Sequence, residues 1–362
     1  MKMNVMFIMN YSPPYSGNFM SSIWTLEKKI KEEKGSCIYV YPESAENLGW
    51  VNEMRNNGAI IYFKNGVFWH DIKLYEKAIK KNNIDIIYLH FWSLTDALSI
   101  RLLQKKHHNL KFGIHHHNEY VLSKSHVRER IKHWILDADF HIGCGSYVAS
   151  EVKEAGYRNV HHIDNCIDFR RLDQWEEIDL SKLNILSEGG VLLLTFTSYS
   201  FSAKGIDISL AAIQKAREKG AAIELLIVIA DCKDEMNKQI EDFFEDIVPG
   251  WVHIIDARSD VASLYHSADA YLNSSRTEGL CYSSIEAVYC GCQVIQSDIP
   301  QNRLDIPGTI IFEKENVEQL TEKLIEYANH REHNSEAQRK YVTEKYDLGE
   351  WALRCYSVLA NV

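Results

Sequence analysis

The sequence has no long apolar run. Nowhere among its 362 residues do about 18 apolar residues follow one another, so we expect no membrane-spanning helix. The opening stretch MKMNVMFIMNYSPP has a single lysine and lacks a small-residue cleavage site. We therefore expect a first buried strand there rather than a signal peptide.

Paired cysteine motifs are also missing. The eight cysteines are scattered, and no two of them form a C-x-x-C pair. This pattern is typical of reduced thiols and does not favour a disulfide framework or a zinc site. We therefore expect a cytoplasmic protein.

Positive charge is not in excess. The chain has 40 basic and 50 acidic residues, a net charge of −10, which argues against general nucleic-acid binding. The charge is uneven, because residues 1–180 hold 23 basic and 22 acidic residues, whereas residues 181–362 hold 17 and 28. The comparatively basic first half leaves room for a local surface that meets phosphates or anionic lipid.

Short apolar runs alternate with amphipathic segments of about 10–15 residues, which predicts β-α-β units with parallel sheets covered on both faces. The predicted strands of the first half are 4–9, 37–41, 59–63, 85–90, 111–115 and 140–144. A second series begins with GGVLLLTFTS at 189–198 and continues through IELLIVIA, WVHIID, ADAYLNSS, CQVIQS and TIIFEK.

The length and the double series predict two open α/β domains. A charged, irregular segment separates the series, and we place the boundary near residue 178. The predicted domains are 1–178 and 179–345, followed by a terminal helix at 346–362 with Asp347 as its N-cap. Two such domains are expected to face each other across a cleft, with ligands at the carboxyl ends of the strands.

Two glutamates flank a predicted loop-to-helix junction in SSRTEGLCYSSIEAVYCGCQV, residues 274–294. The free amides of the helix N-terminus suit a phosphate. Glu286, about one turn into the helix, could bind the two hydroxyls of a ribose, and Glu278 could hold those of a second sugar. The alternative is an acid at a helix N-terminus together with a solvated acid.

Three further positions follow predicted strands. Lys204 stands at a strand-to-helix junction, where it would neutralise a diphosphate leaving group, or else is an ordinary surface lysine. Gly17 precedes the first helix, so nearby amides would reach phosphates or an acceptor, unless this is an ordinary turn. His90 ends one strand and is expected to line the cleft or to be a buried, hydrogen-bonded histidine.

Three consecutive histidines end the strand in GIHHHNEY, residues 113–120. Adjacent histidines on a strand cannot all point at one ion, so we expect no metal site there. The Asp-Ala-Asp at 137–139 joins a helix to a strand, and we assign it no metal either.

The segment SSRTEGLCYSSIEAVYCGCQVIQSD resembles the signature of the retaining GT-B glycosyltransferases, in particular glycosyltransferase family 4. That family has two glutamates separated by seven residues, as Glu-Gly and Glu-Ala, followed by Gly-x-x-Val-Ile. Four further segments resemble the family in the same order: DIIYLHFWSLTDAL, HIDNCIDFRRL with Asn165, AKGIDISLAAI and DVASLYHSADAYLNSS.

The resemblance implies a GT-B fold of two Rossmann-like domains, with the last helix returning to the first domain. It also implies transfer of a hexose-type sugar from a nucleotide-sugar, UDP-sugar favoured over GDP-sugar, with retention of configuration and with neither metal nor pyridoxal phosphate. The implied catalytic residues are Lys204, Glu278 and His115, with His116 as the alternative to His115 near the anomeric carbon. The implied donor-binding residues are Gly17, Gly279, Leu280, Cys281, Tyr282, Ser283 and Glu286.

The chain departs from the family pattern at two positions. Tyr199 stands where the family usually has an arginine, and Cys281 stands where many members have glycine. These departures keep open a second hypothesis, a non-catalytic partner subunit with the same fold that binds a protein or glycan.

The expected acceptor is a glycan, a lipid-linked molecule or a protein, in the context of polysaccharide biosynthesis. The basic segment SKSHVRERIKHWIL, residues 123–136, is a candidate for peripheral contact with the inner face of a membrane. The alternative is a surface helix with Trp134 in the core.

Overall fold

The computed structural model describes residues 2–117, 138–183, 185, 190–197, 200–302, 306–331 and 336–362. The chain divides into two compact units. Unit 1 contains the chain up to Cys166 together with Tyr346–Val362, and unit 2 is Ile167–Lys345.

Unit 1 is built on a seven-stranded parallel sheet with strand order β3-β2-β1-β4-β5-β6-β7. Its strands are β1 Asn4–Met9, β2 Ser36–Pro42, β3 Ile60–Lys64, β4 Ile86–His90, β5 Lys111–His116, β6 Phe140–Gly143 and β7 Val160–His162. Its described helices are α1 Gly17–Glu32, α2 Gly49–Asn56, α3 Phe68–Asn82, α4 Leu94–Lys106, α5 Ser146–Glu154 and, from the end of the chain, α12 Leu348–Ala360.

The apolar residues of β1 face both sides of this sheet. Val5, Phe7 and Met9 pack with α1, α2 and α12 on one side. Met6 and Ile8 pack with α3 and α4 on the other. Because successive side chains of a strand point to opposite faces, a continuous apolar run is what a doubly covered strand requires.

Helix α12 completes the core of unit 1. The Asp347 side chain accepts a hydrogen bond from the Glu350 amide at 2.8 Å and so caps the helix. The buried residues Trp351, Cys355 and Leu359 join the same cluster as β1 and α1. The chain terminus is thereby part of the first unit's fold.

Unit 2 is built on a six-stranded parallel sheet with strand order β10-β9-β8-β11-β12-β13. Its strands are β8 Val191–Thr197, β9 Ile223–Ile229, β10 Val252–Asp256, β11 Ala270–Asn273, β12 Gln293–Asp298 and β13 Ile310–Glu313. Its described helices are α6 Ile206–Glu218, α7 Lys233–Phe243, α8 Val261–Ser267, α9 Tyr282–Tyr289, α10 Val317–Asn329 and α11 Glu336–Lys345. The predicted class, two Rossmann-like parallel-sheet domains, is confirmed.

The segment after Cys166 belongs to unit 2, which therefore begins before the predicted limit near residue 178. Phe169 stacks on Tyr289 of α9 with ring centroids 4.5 Å apart. The Glu176 amide donates to the Ser263 hydroxyl of α8 at 3.0 Å. These contacts, made by an irregular segment, are ones that periodicity cannot reveal.

None of the helices in the described part of the chain combines the length and the hydropathy needed to span a bilayer.

Candidate functional site

The two predicted glutamates lie where β11 ends and α9 begins, near the middle of the unit 2 sheet. Lys204 comes from the loop after β8, and β8 is hydrogen-bonded to β11. The carboxyl ends of neighbouring parallel strands meet at one edge of a sheet, where open α/β folds bind ligands. The two loops therefore supply one site.

Lys204 and Glu278 form an ion pair across these loops. The Lys204 ammonium lies 2.7 Å from Glu278 Oε1, which also accepts a hydrogen bond from the Ser275 hydroxyl at 2.7 Å. Their side chains are 23% and 13% exposed, so both are reachable from solvent. The structure thus brings together the two unit 2 residues predicted to be catalytic.

The Lys204 loop is fastened to the Glu278 loop at Gly205. Gly205 has φ +64°, and a Cβ there would come within 2.0 Å of the Ser274 carbonyl oxygen. The Ser274 hydroxyl donates to the Gly205 carbonyl at 2.7 Å. Only glycine combines this backbone conformation with such a close approach.

Arg276 reinforces the same junction, and sequence reasoning missed it. Its guanidinium binds both carboxylate oxygens of Asp207 at 2.8 and 2.7 Å and Glu315 at 2.7 Å. Its amide donates to the Ala203 carbonyl at 2.8 Å. Arg276 therefore positions the loop that contains Lys204. Its place two residues before Glu278 is the feature of the sequence that could have indicated this role.

Glu286 is only 7% exposed and is held by two donors within unit 2. Tyr265 donates to its Oε2 at 3.1 Å, and Arg171 approaches its Oε1 at 3.4 Å. Burial, and then the neighbouring Glu286, raises the pKa of Tyr265 well above its usual value, so the phenol keeps the proton that it donates. The carboxylate is therefore oriented in advance, and a diol would share it with these donors.

The N-terminus of α9 carries no side-chain cap and no acidic residue in its first turn. Its first residues, Tyr282 and Ser283, are partly exposed. No acidic residue in the first turn therefore offsets the partial positive charge of this helix end, and the end suits an anionic group.

Cys281, at the position where many members of the family that the sequence resembles have glycine, does not turn its side chain to solvent. It is 4% exposed, and its sulfur accepts hydrogen bonds from Asn273 Nδ2 at 3.0 Å and from the Ser284 hydroxyl at 3.2 Å. Burial, with the Glu278 charge second, raises its pKa to about 11, so it is a thiol at neutral pH. The neighbouring Leu280 is also buried, at 8% exposed.

In unit 1 the histidine run alternates across β5. His115 is 1% exposed and shares a hydrogen bond with the Tyr88 hydroxyl at 2.7 Å. Its ring stacks with the ring of Trp351. His116 points to the opposite face and bonds to His141 at 3.0 Å. His117, beyond the strand, is only partly buried.

The predicted residues His115 and His116 are thus the two most buried members of the run, and the sequence analysis did not select His117. Strand alternation places residues 115 and 117 on one face. His117 Nε2 lies 2.9 Å from Nδ1 of the fully buried His90. Desolvation by the surrounding rings lowers the pKa of His90, His115 and His117 below the usual value, so these rings are neutral at pH 7.

His90, His115 and His117 each offer one nitrogen within 4.8 Å of the others, the one group of this kind found in the described residues. The rings of His115 and His117, however, are parallel to within 6° and stacked at 4.3 Å. An ion bound by two imidazoles lies in the plane of both rings, which stacked rings do not allow. In this arrangement the cluster is a set of packed, hydrogen-bonded rings rather than a converging ligand set.

Gly17 begins α1 in unit 1 with φ +59°, which favours glycine. The preceding turn is closed by the Tyr11 hydroxyl, which donates to the Ser16 carbonyl at 2.9 Å. Helix α1 has neither a side-chain cap nor an acidic residue in its first turn. Of the remaining predicted positions, Tyr199 and the segment 123–136 with Trp134 lie outside the described residues.

Residues 191–330 match the family model described as Glycosyl transferases group 1. A glycosyltransferase from Rickettsia africae ESF-5 is similar over 100% of both chains, with 17% identity and a TM-score of 0.78. The chain has the GT-B fold. Anabaena HepE, solved with UDP-glucose, has 13% identity and a TM-score of 0.78 over 99% of this chain and 100% of its own.

Sucrose-phosphate synthase from Thermosynechococcus elongatus is similar over 99% of each chain, with 13% identity and a TM-score of 0.75. No curated protein matches the sequence significantly. The family match covers β8 to α10, which includes Lys204, Glu278 and Glu286.

Proposed function

We propose that this GT-B protein is a glycosyltransferase that moves a hexose-type sugar from a nucleotide-sugar, UDP-sugar favoured, with retention of anomeric configuration. The observation that carries the proposal is the Lys204–Glu278 pair beside the uncapped N-terminus of α9, within the segment that matches the family. HepE, solved with UDP-glucose, supports the choice of donor class.

In the proposed site, unit 2 holds both ends of the donor. Glu286, oriented by Tyr265 and Arg171, binds the ribose hydroxyls. The amides of residues 279–283 bind the diphosphate at the start of α9. Glu278 binds hydroxyls of the transferred sugar, since a carboxylate accepts two such hydrogen bonds at once.

Lys204 is the proposed electrostatic catalyst. Before a donor binds, its ammonium is paired with Glu278. A bound diphosphate supplies a second anion, so Lys204 neutralises the charge that grows as the sugar–phosphate bond breaks. Lys204 and the α9 amides, rather than a metal ion, supply the positive charge in this scheme.

Unit 1 is the proposed acceptor-binding domain, with a glycan, a lipid-linked molecule or a protein as the acceptor. His117 has more solvent access than His115, so we propose His117 for the lining role that the sequence assigned to His115 or His116. Cytoplasmic location and a part in polysaccharide biosynthesis belong to the same proposal.

The test is nucleotide release and product formation with a panel of UDP- and GDP-hexoses. Glu286→Ala should lower transfer by at least about a hundredfold, because it removes a positioning contact to the donor. Glu218→Ala, an exposed acid in α6, is the matched control and should keep full activity. Normal transfer by Glu286→Ala would overturn the proposed site.

The stereochemistry is read by NMR on the first product formed, which should keep the donor's anomeric configuration. Transfer with inversion would contradict the retaining assignment. Donor binding without nucleotide release from any hexose donor, in the presence of acceptor glycans, would favour the non-catalytic partner.

A further inference from the structure

Buried polar side chains lie behind the Glu278 loop, where β11 and β12 end. Asn273 is the last residue of β11 and Ser275 follows two residues later, while Ser297 lies in β12 and Asn302 in the turn after it. All four are at most 3% exposed, and we call them the serine–asparagine cluster. Polar groups removed from water cost free energy unless they are hydrogen-bonded, so their partners indicate what the cluster holds in place.

Ser275 connects this cluster to the candidate site. Its hydroxyl donates to Glu278 Oε1 at 2.7 Å. Its amide donates to the side-chain oxygen of Asn273 at 3.1 Å, and its carbonyl accepts from the Ser297 hydroxyl at 2.7 Å. Because three groups of one buried residue are hydrogen-bonded at once, the residue has little freedom to turn its hydroxyl elsewhere.

Asn302 closes the cluster from the side of β12. Its side-chain oxygen accepts from Asn273 Nδ2 at 3.3 Å, and its own Nδ2 donates to the Ser297 carbonyl at 3.3 Å. Its carbonyl accepts from Gln296 Nε2 at 2.7 Å. Asn273 and Gln296 are register partners in the two parallel strands, so their side chains start from neighbouring points of the sheet. The turn after β12 therefore holds the end of β11.

The same cluster reaches the start of α9. Asn273 Nδ2 donates to Cys281 Sγ at 3.0 Å and lies 3.5 Å from the Ser284 hydroxyl. This amide thus contacts the segment whose backbone is proposed to bind the diphosphate. One buried cluster therefore fixes Glu278 and the first turn of α9 relative to each other.

The two oxygens of Glu278 have different surroundings. Oε1 accepts from the Ser275 hydroxyl and is paired with the Lys204 ammonium, both at 2.7 Å. Oε2 accepts no hydrogen bond within the described part of the chain. The side chain is 13% exposed, so a carboxylate held by one oxygen keeps the other for a ligand hydroxyl.

We propose that Ser275 is the positioning residue for Glu278 and that the rest of the cluster fixes Ser275. The inference rests on the proposed function, in which Glu278 binds hydroxyls of the transferred sugar. When the diphosphate of a donor draws on the Lys204 ammonium, the Ser275 hydroxyl keeps Oε1 in place, and Oε2 stays directed at the sugar. Ser275 is 1% exposed, so it acts through Glu278 rather than by touching the donor.

The test compares binding of a nucleotide with binding of its sugar derivative, by calorimetric titration of the full chain. The pairs are UDP with UDP-glucose, UDP with UDP-galactose, and GDP with GDP-mannose. The ratio of the two Kd values, which we call the sugar increment, isolates the contacts made by the sugar. Ser275→Ala should weaken binding of the nucleotide-sugar about tenfold, the usual effect of losing one hydrogen bond to a charged group, and leave that of the nucleotide unchanged.

A merely structural role for Ser275 predicts a different result. The amides that bind the diphosphate belong to the same loop, so a loosened loop would weaken the nucleotide and the nucleotide-sugar alike. Equal weakening of both, or an unchanged sugar increment, would overturn the inference while leaving the proposed function intact. If the wild type binds none of the pairs, the proposed function is contradicted, and the role of Ser275 with it.

Two further variants test the route through Glu278. Ser275→Thr keeps a hydroxyl at this position and should retain most of the sugar increment; a Thr variant that binds the nucleotide normally but has lost the increment would contradict the role of the hydroxyl. In a Glu278→Ala background, adding Ser275→Ala should change the increment by less than about twofold, because no carboxylate is left to position. A further loss as large as in the wild type would show that Ser275 acts by another route.

Ser263→Ala is the matched control. Ser263 of α8 is also a unit 2 serine with 1% exposure, and its hydroxyl accepts from the Glu176 amide at 3.0 Å. Removing this hydroxyl should leave the sugar increment at its wild-type value. A fall equal to that of Ser275→Ala would contradict a specific role for Ser275.

Discussion

At the residue scale, the candidate site depends on a few side chains that the fold holds in fixed places. Lys204 is paired with Glu278, and Glu286 is held by Tyr265 and Arg171. Each acid of the motif is thus engaged before any donor arrives. The site is organised in advance, which is what positioning and charge stabilisation require.

Replacing Lys204 should mainly slow the chemical step. Lys204→Gln keeps a polar side chain only one atom shorter than lysine but removes the charge that is proposed to face the leaving diphosphate. We expect kcat to fall by about 10²–10³, the usual loss when one stabilising group is removed. Lys204→Arg is the control, and it should retain more activity than Lys204→Gln in a nucleotide-release assay; equal activity of the two would contradict a role for the charge.

Gly205→Ala should destabilise unit 2 through both strain and collision. The added Cβ would stand 2.0 Å from the Ser274 carbonyl in a backbone conformation with φ +64°. We expect a loss of about 2–4 kcal/mol in the free energy of unfolding, measured by urea denaturation.

Gly291→Ala separates the two causes. It shares the positive φ, at +82°, but no atom lies within 4 Å of its added Cβ. The control should lose only about 1 kcal/mol. If both variants lose the same free energy of unfolding, the close approach to Ser274 does not contribute to the loss of stability in Gly205→Ala.

At the scale of elements, a buried polar group ties the loops of unit 1 together. Lys64 at the end of β3 pairs with Asp96 in the first turn of α4, and the two side chains are 3% and 1% exposed. Tyr75 of α3 donates to Asp96 at 2.7 Å, and Asn10, after β1, donates at 2.9 Å. One carboxylate therefore connects β1, β3, α3 and α4.

Asp96→Asn should cost about 3–5 kcal/mol of unfolding free energy, because it leaves the Lys64 ammonium buried without its counter-charge. Adding Lys64→Met should recover part of the loss, since it removes that charge. Urea unfolding of Asp96→Asn, Lys64→Met and the double variant measures the coupling between the two residues. If the double variant loses more unfolding free energy than the two single variants added together, the proposed pairing is contradicted.

The same carboxylate predicts a pH dependence. Burial alone would raise the pKa of Asp96, but Lys64, with Tyr75 and Ser93, outweighs it and holds the pKa below its usual value. The stabilisation is therefore present above the unfolded-state pKa of about 3.9 and is lost as the pH falls below it. Unfolding free energy of the wild type should drop below about pH 4. Asp96→Asn should drop less steeply there, and parallel curves would contradict the assignment.

Much of this layout could be predicted from the sequence. The run NVMFIM at 4–9 is almost entirely apolar and includes β-branched and aromatic residues. Such a run is sufficient to identify a buried strand. The six predicted strands of the second half all occur in the structure. The family resemblance assigned Lys204 and Glu278 to one site, and the two residues lie together because neighbouring parallel strands end at one edge of the sheet.

The rest depends on tertiary contacts. Strand β7 has only three residues, too few for a periodic signal. The pairing of Lys64 with Asp96 joins residues 32 positions apart, and only the strand order brings them together. His115 and His117 differ in exposure because β5 ends between them and α12 covers the first, which no local pattern contains.

At the scale of the whole molecule, the chain separates charge by unit and by face. The protein has an isoelectric point near 5.9, yet α3 and α4 carry an excess of lysine on their exposed side. The proposed donor site lies in unit 2, and the lysine-rich helices α3 and α4 lie in unit 1. Variants of one can therefore be made without altering residues of the other.

The most direct measurement is the thermal unfolding of the full chain with a series of UDP- and GDP-hexoses. A ligand that binds only the native state raises its stability, by about 2.7 kcal/mol at a hundred times its Kd. We predict that a UDP-hexose raises the Tm of the wild type and that Glu286→Ala loses most of the shift. An unchanged Tm with every nucleotide-sugar, or an equal shift in Glu286→Ala, would contradict the assignment of unit 2 as the donor site.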